Sequence, residues 1–225
     1  MCGRFTRITP ASTIIEVFHA SAPSFELAAS YNVAPTQDII IISDTGKREL
    51  IKCRWGFLPA WIKDISEANP MINARAESID EKPYFKEAFR KQRCLVIADG
   101  FYEWRREKKK KTPYYIRIKS GKPMGFAGIY NYWASPDGNK ICGCAIITTE
   151  SNDLVATIHD RMPVIVPENK IDLWLDPGCK DYEALKGILK ACPSEELEMH
   201  MVSNAVNSPK NDSEANILPP EEISL

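Results

Sequence analysis

From residue 94 to residue 148 the chain runs through short apolar strands, each divided from the next by a turn signal. This succession limits the available folds more than any other feature. Residues 94–98 form an uninterrupted apolar run. Beyond a charged segment from Arg105 to Lys111, Tyr114, Ile116 and Ile118 alternate with Tyr115, Arg117 and Lys119, the period of two that marks a half-buried strand. Gly121-Lys122-Pro123 turns toward a strand over 124–130, and Pro136-Asp137-Gly138-Asn139 turns again into 141–148. Earlier, Ile39-Ile40-Ile41-Ile42 is a buried strand that Asp44-Thr45-Gly46-Lys47 returns toward a partner over 50–54. Residues 164–166 and 197–202 read as further strands. The helices are short and interspersed. One covers 10–20, with Thr9 as N-cap, Pro10 in the first turn and Ile14, Val17 and Phe18 as its apolar stripe. Another covers 83–91, with Phe85 and Phe89 four apart, and others fall near 153–158, 168–175 and 182–191. Strands joined by hairpins, with no regular βαβ alternation, predict an α+β fold: a single β-rich domain of mostly antiparallel strands with several short helices. Residues 207–225 read as a loosely held tail.

The 225 residues are ample for a sizeable core, and 44% hydrophobic and 26% charged content suits a globular protein. A formal net charge of −1 means that any nucleic acid must be held by a local basic patch rather than by the overall field. The seven cysteines are odd in number and scattered, at 2, 53, 94, 142, 144, 179 and 192. Residues 1–20 lack the pattern of a secretory signal, so a reducing cytoplasm and mostly free, buried thiols are expected. Cys142 and Cys144 are too close in sequence for a standard zinc pair, and with only His19, His159 and His200 to help, no metal is expected. On a strand the two would share a face as packed core thiols. No apolar run approaches the ~20 residues of a membrane span.

Cys2, directly behind the initiator Met1, carries the most distinctive chemistry. Removal of Met1 would leave a thiol beside a free α-amine, a 1,2-aminothiol able to capture an aldehyde as an imine and then as a thiazolidine. The amine titrates near 7.7–8.0 and the thiol near about 8.5. While Met1 remains, that amine is tied up in a peptide bond. The competing account is an accidental cysteine that packs as a small apolar group. Asn73, Arg75 and Glu77 alternate and in an extended segment would face one side, as a polar sheet edge would also do. Glu103, enclosed by Tyr102 and Trp104, would have its pKa raised by desolvation toward the range useful for proton transfer; a surface carboxylate is the alternative. His159 is the side chain suited to moving protons at neutral pH, or a satisfied group at a helix end. The segments 31–36 and 54–61 read as loops whose aromatics and prolines either stack bases or pack the core. The basic run Arg105, Arg106 and Lys108 to Lys111 reads as a solvated hairpin tip at least as readily as a nucleic-acid patch.

Met1-Cys2-Gly3-Arg4-Phe5, Tyr31-Asn32-Val33-Ala34-Pro35, Trp55-Gly56, Asn73-Ala74-Arg75-Ala76-Glu77, Ala98 to Trp104, and His159-Asp160-Arg161-Met162-Pro163 occur in one order. That series resembles the SOS response-associated peptidase family, whose members shield abasic sites in DNA. The resemblance covers about residues 2–209, leaving 210–225 as a C-terminal tail, and it implies a barrel-like sheet. It also implies loss of Met1, binding of single-stranded DNA and a thiazolidine DNA–protein crosslink in the DNA damage response, by a monomer without a cofactor. Carried over residue by residue, Cys2 is the nucleophile, Asn73 orients the amine and the opened sugar, and Glu103 handles protons around the imine. His159 assists ring opening and reversal. Arg4 and Arg75 hold phosphates, and Asn32, Pro35, Trp61 and Trp104 line the DNA channel. Two alternatives stay open: a thiol peptidase with Cys2 as nucleophile, Met1 removal then being self-processing, and a non-catalytic single-strand binding module.

Overall fold

The computed structural model describes residues 2–59, 61–62, 69–108, 110–134, 138 and 140–220. In chain order, β1 (Phe5–Arg7), α1 (Ala11–Phe18), β2 (Ser30–Val33), β3 (Asp38–Asp44), β4 (Arg48–Trp55) and β5 (Asn73–Arg75) come first. They are followed by α2 (Pro83–Lys91), β6 (Arg93–Ala98), β7 (Gly100–Glu107), β8 (Lys110–Ile118), β9 (Met124–Ala134) and β10 (Lys140–Glu150). The last elements are α3 (Asp153–Ala156), β11 (Arg161–Pro163), α4 (Ile171–Leu175), α5 (Tyr182–Ile188) and β12 (Leu197–Met201).

Strands β10, β4, β3, β6 and β9 are neighbours in that order, and β9 pairs again with β10, so five strands close into a barrel. All its seams are antiparallel except β4 with β10, which is parallel. A second, five-stranded sheet runs β12-β8-β7-β1-β2, antiparallel throughout. The fold is therefore α+β, as the hairpin pattern predicts, and the sheet is barrel-like. The four isoleucines of β3 are all buried because each face of the strand meets its own core. Ile40 and Ile42 join the cluster that holds Phe18, Phe89, Trp174 and Leu185 of the helices. Ile39 and Ile41 join Phe5, Phe101 and Ile116 of the second sheet. A strand covered on both sides needs no alternation.

Several expectations are corrected. Residues 31–33 belong to a strand, β2, and not to a loop. Helix α1 starts at Ala11 with Pro10 in the cap position, because the Thr9 hydroxyl and amide turn instead to the Asp99 carboxylate. The strand expected at 164–166 is formed by Arg161–Pro163, and only Ile165 bridges, to Phe126. While Cys2, Cys94, Cys144, Cys179 and Cys192 are free, Cys142 is not a packed core thiol but is joined to Cys53 in a disulfide. The parallel register that sets Arg54 against Gly143 brings these neighbours within a Cα separation of 4.7 Å. Cys144 does point into the core, with its Sγ 3.8 Å from that of Cys94.

The segment expected to hang loosely is strapped across the second sheet as far as Ile217. Strand β2 is the sheet edge, and its unpaired groups attract partners: the Tyr31 amide and Ser30 hydroxyl donate to Asp212 at 2.5 and 3.0 Å. Asn216 is buried, and Ile217 offers its carbonyl to His200 Nε2 at 2.7 Å. Among the described residues no helix is long and apolar enough to cross a membrane.

Candidate active site and adjoining groove

Strand β10 supports two of the polar segments. β5 lies parallel to it with Asn73 against Ile146 and Arg75 against Thr148, and β11 lies antiparallel with Arg161 against Glu150. His159 leads into β11 from the turn of α3, which Asn152 caps by accepting from the Val155 amide at 3.0 Å. Strand β1 fills the slot between β2 and β7. Phe5 stands opposite Phe101, and the Arg4 carbonyl accepts from the Tyr102 amide at 2.9 Å. This pairing carries Cys2 alongside Glu103.

Cys2 is 0% exposed. Asn73 Nδ2 donates to the Cys2 carbonyl at 2.8 Å, while Asn73 Oδ1 is buried without a hydrogen-bond partner. Glu103, with only 4% of its side chain exposed, places Oε2 3.9 Å from His159 Nε2. The Arg161 amide, 3.0 Å from His159 Nδ1, can donate only to a lone pair. The same Nδ1 also lies 3.2 Å from the Arg161 carbonyl and 3.1 Å from an Asp160 carboxylate oxygen, and Nε2 is the nitrogen turned to Glu103. Burial holds the Glu103 carboxyl above the ordinary glutamate range, with His159 pulling the other way. Burial likewise pushes the Cys2 thiol far up, the Glu103 charge adding to the effect and the Arg4 amide opposing it. The site thus favours a protonated thiol beside a carboxyl that readily holds a proton.

Outside Glu103 and His159 lies a cavity of about 410 Å³ bounded by Trp104, Arg106, Lys111 and Asn207. Past Arg106 and His159 it opens into a groove of about 670 Å³ that reaches Arg75, Arg105 and Arg161, with Glu150 and Asp160 as its acidic members. Among the described residues no three His, Cys, Asp or Glu side chains are grouped to hold a metal.

The structure therefore brings Cys2, Asn73, Glu103 and His159 together and sets Arg75, exposed, in the groove. Trp104 lines the cavity, with Nε1 donating to Asn207 Oδ1 at 2.7 Å. The other channel residues fall elsewhere. Arg4 Nη1 is committed to Asn32 Oδ1 and the Val206 carbonyl, both at 2.6 Å, so that nitrogen is not offered to a phosphate. Asn32 is 1% exposed and its Nδ2 faces the carbonyls of Val206, Ser208 and Asn211 at 3.2, 3.0 and 2.6 Å. It is an internal bracket that fixes the C-terminal strap, not part of a surface. Pro35 sits half-buried in the turn before β3. Trp61 is exposed against Tyr84, ring centroids 5.3 Å apart, and borders a separate cavity with Tyr132.

Arg106, Lys111 and Asn207 are the residues that sequence reasoning missed, having been read as hairpin tip and tail. One signal was available: Arg106 and Lys111 are directly opposite across the β7–β8 pair. Like charges so placed are unfavourable, and an anionic ligand would relieve the repulsion.

A closed barrel, a second sheet threaded by the N-terminal strand, and a buried Cys2 flanked by amide, carboxyl and imidazole define a protein class built around its own N-terminus. The chain belongs to the SOS response associated peptidase (SRAP) family, whose model matches residues 1–209. It is 45% identical over 217 residues to the abasic site processing protein YoqW of Bacillus subtilis, covering 95% of this chain and 97% of that one. It is 31% identical to the abasic site processing protein HMCES of Xenopus tropicalis, covering 82% of this chain and 64% of that longer protein. A crystal structure of a Bacteroides thetaiotaomicron protein superposes with a TM-score of 0.88 at 28% identity, covering 97% of this chain and 99% of the other.

Proposed function

We propose that this chain processes abasic sites by covalent capture: bound to single-stranded DNA, it traps the lesion with Cys2 once Met1 is removed. The observation that carries the reading is the buried cluster in which Asn73 holds the Cys2 carbonyl beside the Glu103–His159 pair. The ring-opened deoxyribose presents an aldehyde. The free amine of Cys2 adds to it, and loss of one water leaves an imine. The thiol then adds to the imine carbon while its proton passes to nitrogen, closing the thiazolidine, so the net change is one water released. Glu103, poised to hold a proton, donates during water loss and accepts as the thiol adds. His159 relays protons to the sugar oxygen. The DNA lies along the groove with Arg75 and the Arg106–Lys111 pair against phosphates.

A thiol peptidase needs a thiolate, which burial and the Glu103 charge both disfavour at Cys2. A passive binding module has no use for a buried carboxyl beside residue 2. Intact mass spectrometry after incubation with a single-stranded oligonucleotide carrying an abasic site tests the proposal. The expected species is the chain without Met1 plus oligonucleotide minus one water, absent from Cys2→Ala although that variant still binds. An undiminished heat-stable adduct in Cys2→Ala refutes the mechanism.

A further inference from the structure

Arg7 is a buried charge with nothing paired to it. It is 7% exposed, and among the described residues no hydrogen-bond acceptor or ion-pair partner meets its guanidinium. Asp99 acts on it only at longer range, because that carboxylate is taken by the amides of Ile8 and Thr9 and the Thr9 hydroxyl. A guanidinium carries five donors in a planar fork, and those of Arg7 are not sealed in protein but open onto a cavity. Desolvation lowers its pKa.

The side chain lines a cavity of about 220 Å³ between strands β1–β2 of the second sheet and β3–β4 of the barrel. Arg7 and Phe5 alternate on β1 and so face the same way, into the space between the two sheets. The remaining wall is chiefly apolar, from Leu27, Val33, Ile39 and Ile40. None of these residues borders the cavity or groove beside Cys2. A space of about 150 Å³ admits benzene, so this one has room for an anion with roughly four to six carbons. At the mouth stand two exposed carboxylates, Glu26 and Asp38, and one exposed ammonium, Lys52. The two acids oppose entry of a polyanion or a nucleic-acid backbone, and a single internal guanidinium matches a single carboxylate in bidentate geometry.

We infer that this cavity is a binding site for a small branched or short-chain monocarboxylate, its carboxylate on the Arg7 guanidinium and its hydrocarbon against Phe5, Leu27 and Ile40. The site lies apart from the proposed capture chemistry and does not depend on it.

Calorimetric titration of the purified full chain tests the inference with three probes: 3-methylbutanoate, its neutral isostere 3-methylbutanamide, and inorganic phosphate. The acid is expected to bind saturably, the amide at least tenfold more weakly, and phosphate without saturation. Arg7→Gln, which stays polar but removes the charge and shortens the side chain, should lower the affinity for the acid at least tenfold and abolish the preference over the amide. Ala28→Trp, a change at the exposed rim that leaves Arg7 in place, should block the acid while the melting temperature is retained. Equal binding of acid and amide to the unaltered chain overturns the inference without recourse to any variant. So does absence of saturable binding by the acid, phosphate binding as tight as the acid, or unchanged affinity in Arg7→Gln.

Discussion

Glu103→Gln should make the protein more stable and less active at once. The net effect of the surroundings is to raise the Glu103 pKa, burial being the largest cause. The fold therefore prefers the neutral carboxyl, and glutamine imitates that form in shape and polarity. Each unit by which the folded pKa exceeds the unfolded one, about 4.3, destabilises the charged protein by about 1.4 kcal/mol. The sign follows from proton counting. Between the two pKa values the native state keeps a proton that the unfolded chain has lost, so native stability falls as pH rises through that window and is recovered below it. Glutamine does not titrate. The advantage of Glu103→Gln should be largest at neutral pH and shrink toward zero near pH ~4. Urea unfolding of both proteins across pH 4–8 reads this directly, and taking the difference removes the contributions of other carboxylates. The same variant should bind abasic single strands normally yet form the adduct about 10²–10⁴-fold more slowly, the usual range for loss of a general acid–base. A variant less stable than its parent at neutral pH, or a stability difference that ignores pH, refutes the claim that the carboxyl is held against its own ionisation. An unchanged adduct rate would remove Glu103 from the chemistry.

Asn32→Ala should cost about 2–4 kcal/mol, because it removes together the hydrogen bonds to the carbonyls of Val206, Ser208 and Asn211 and the one from Arg4 Nη1. Hydrogen exchange should quicken selectively over 203–217; uniform loss of protection would contradict the role of a bracket. Arg75→Ala should weaken binding to single-stranded DNA and reduce the slope of log affinity against log salt by about 0.7, the value for one phosphate. An unchanged slope would place the strand elsewhere.

Long strands were legible in their central parts: the alternation over 114–119 locates the second half of β8, and the turn at 136–139 with the apolar residues over 141–148 locates β10. Strands β1 and β5 have three residues each, too few to display a period, yet they position Cys2 and Asn73. Their existence is dictated by neighbours, β1 by the gap between β2 and β7 and β5 by the free edge of β10. The four residues gathered at the candidate site were therefore legible only as motifs in a fixed order, since each member alone was equally well explained as surface or core. Asn32 shows the opposite failure. Its motif was intact, but its side chain faces inward, and no local pattern distinguishes a residue kept for a ligand from one kept for the fold. The Cys53–Cys142 bond depends on the register of two strands 89 residues apart, which the sharing of a face by Cys142 and Cys144 could not disclose.

The parallel seam that closes the barrel has a consequence for anyone redesigning this protein. At that seam a Cβ on Gly143 would lie 2.7 Å from the carbonyl oxygen of Gly56 and 3.4 Å from the backbone of Leu58. No side chain can rotate away to admit it, so a larger residue must push β10 off β4. The displacement would travel along one rigid strand to the places where Asn73 and His159 are attached. Altering what the pocket accepts is thus a matter for Arg106, Lys111 and Asn207, which line it and can vary without disturbing that strand. Gly143 leaves no such latitude: it touches none of the reacting groups, yet the alignment of the whole constellation hangs on its missing methyl.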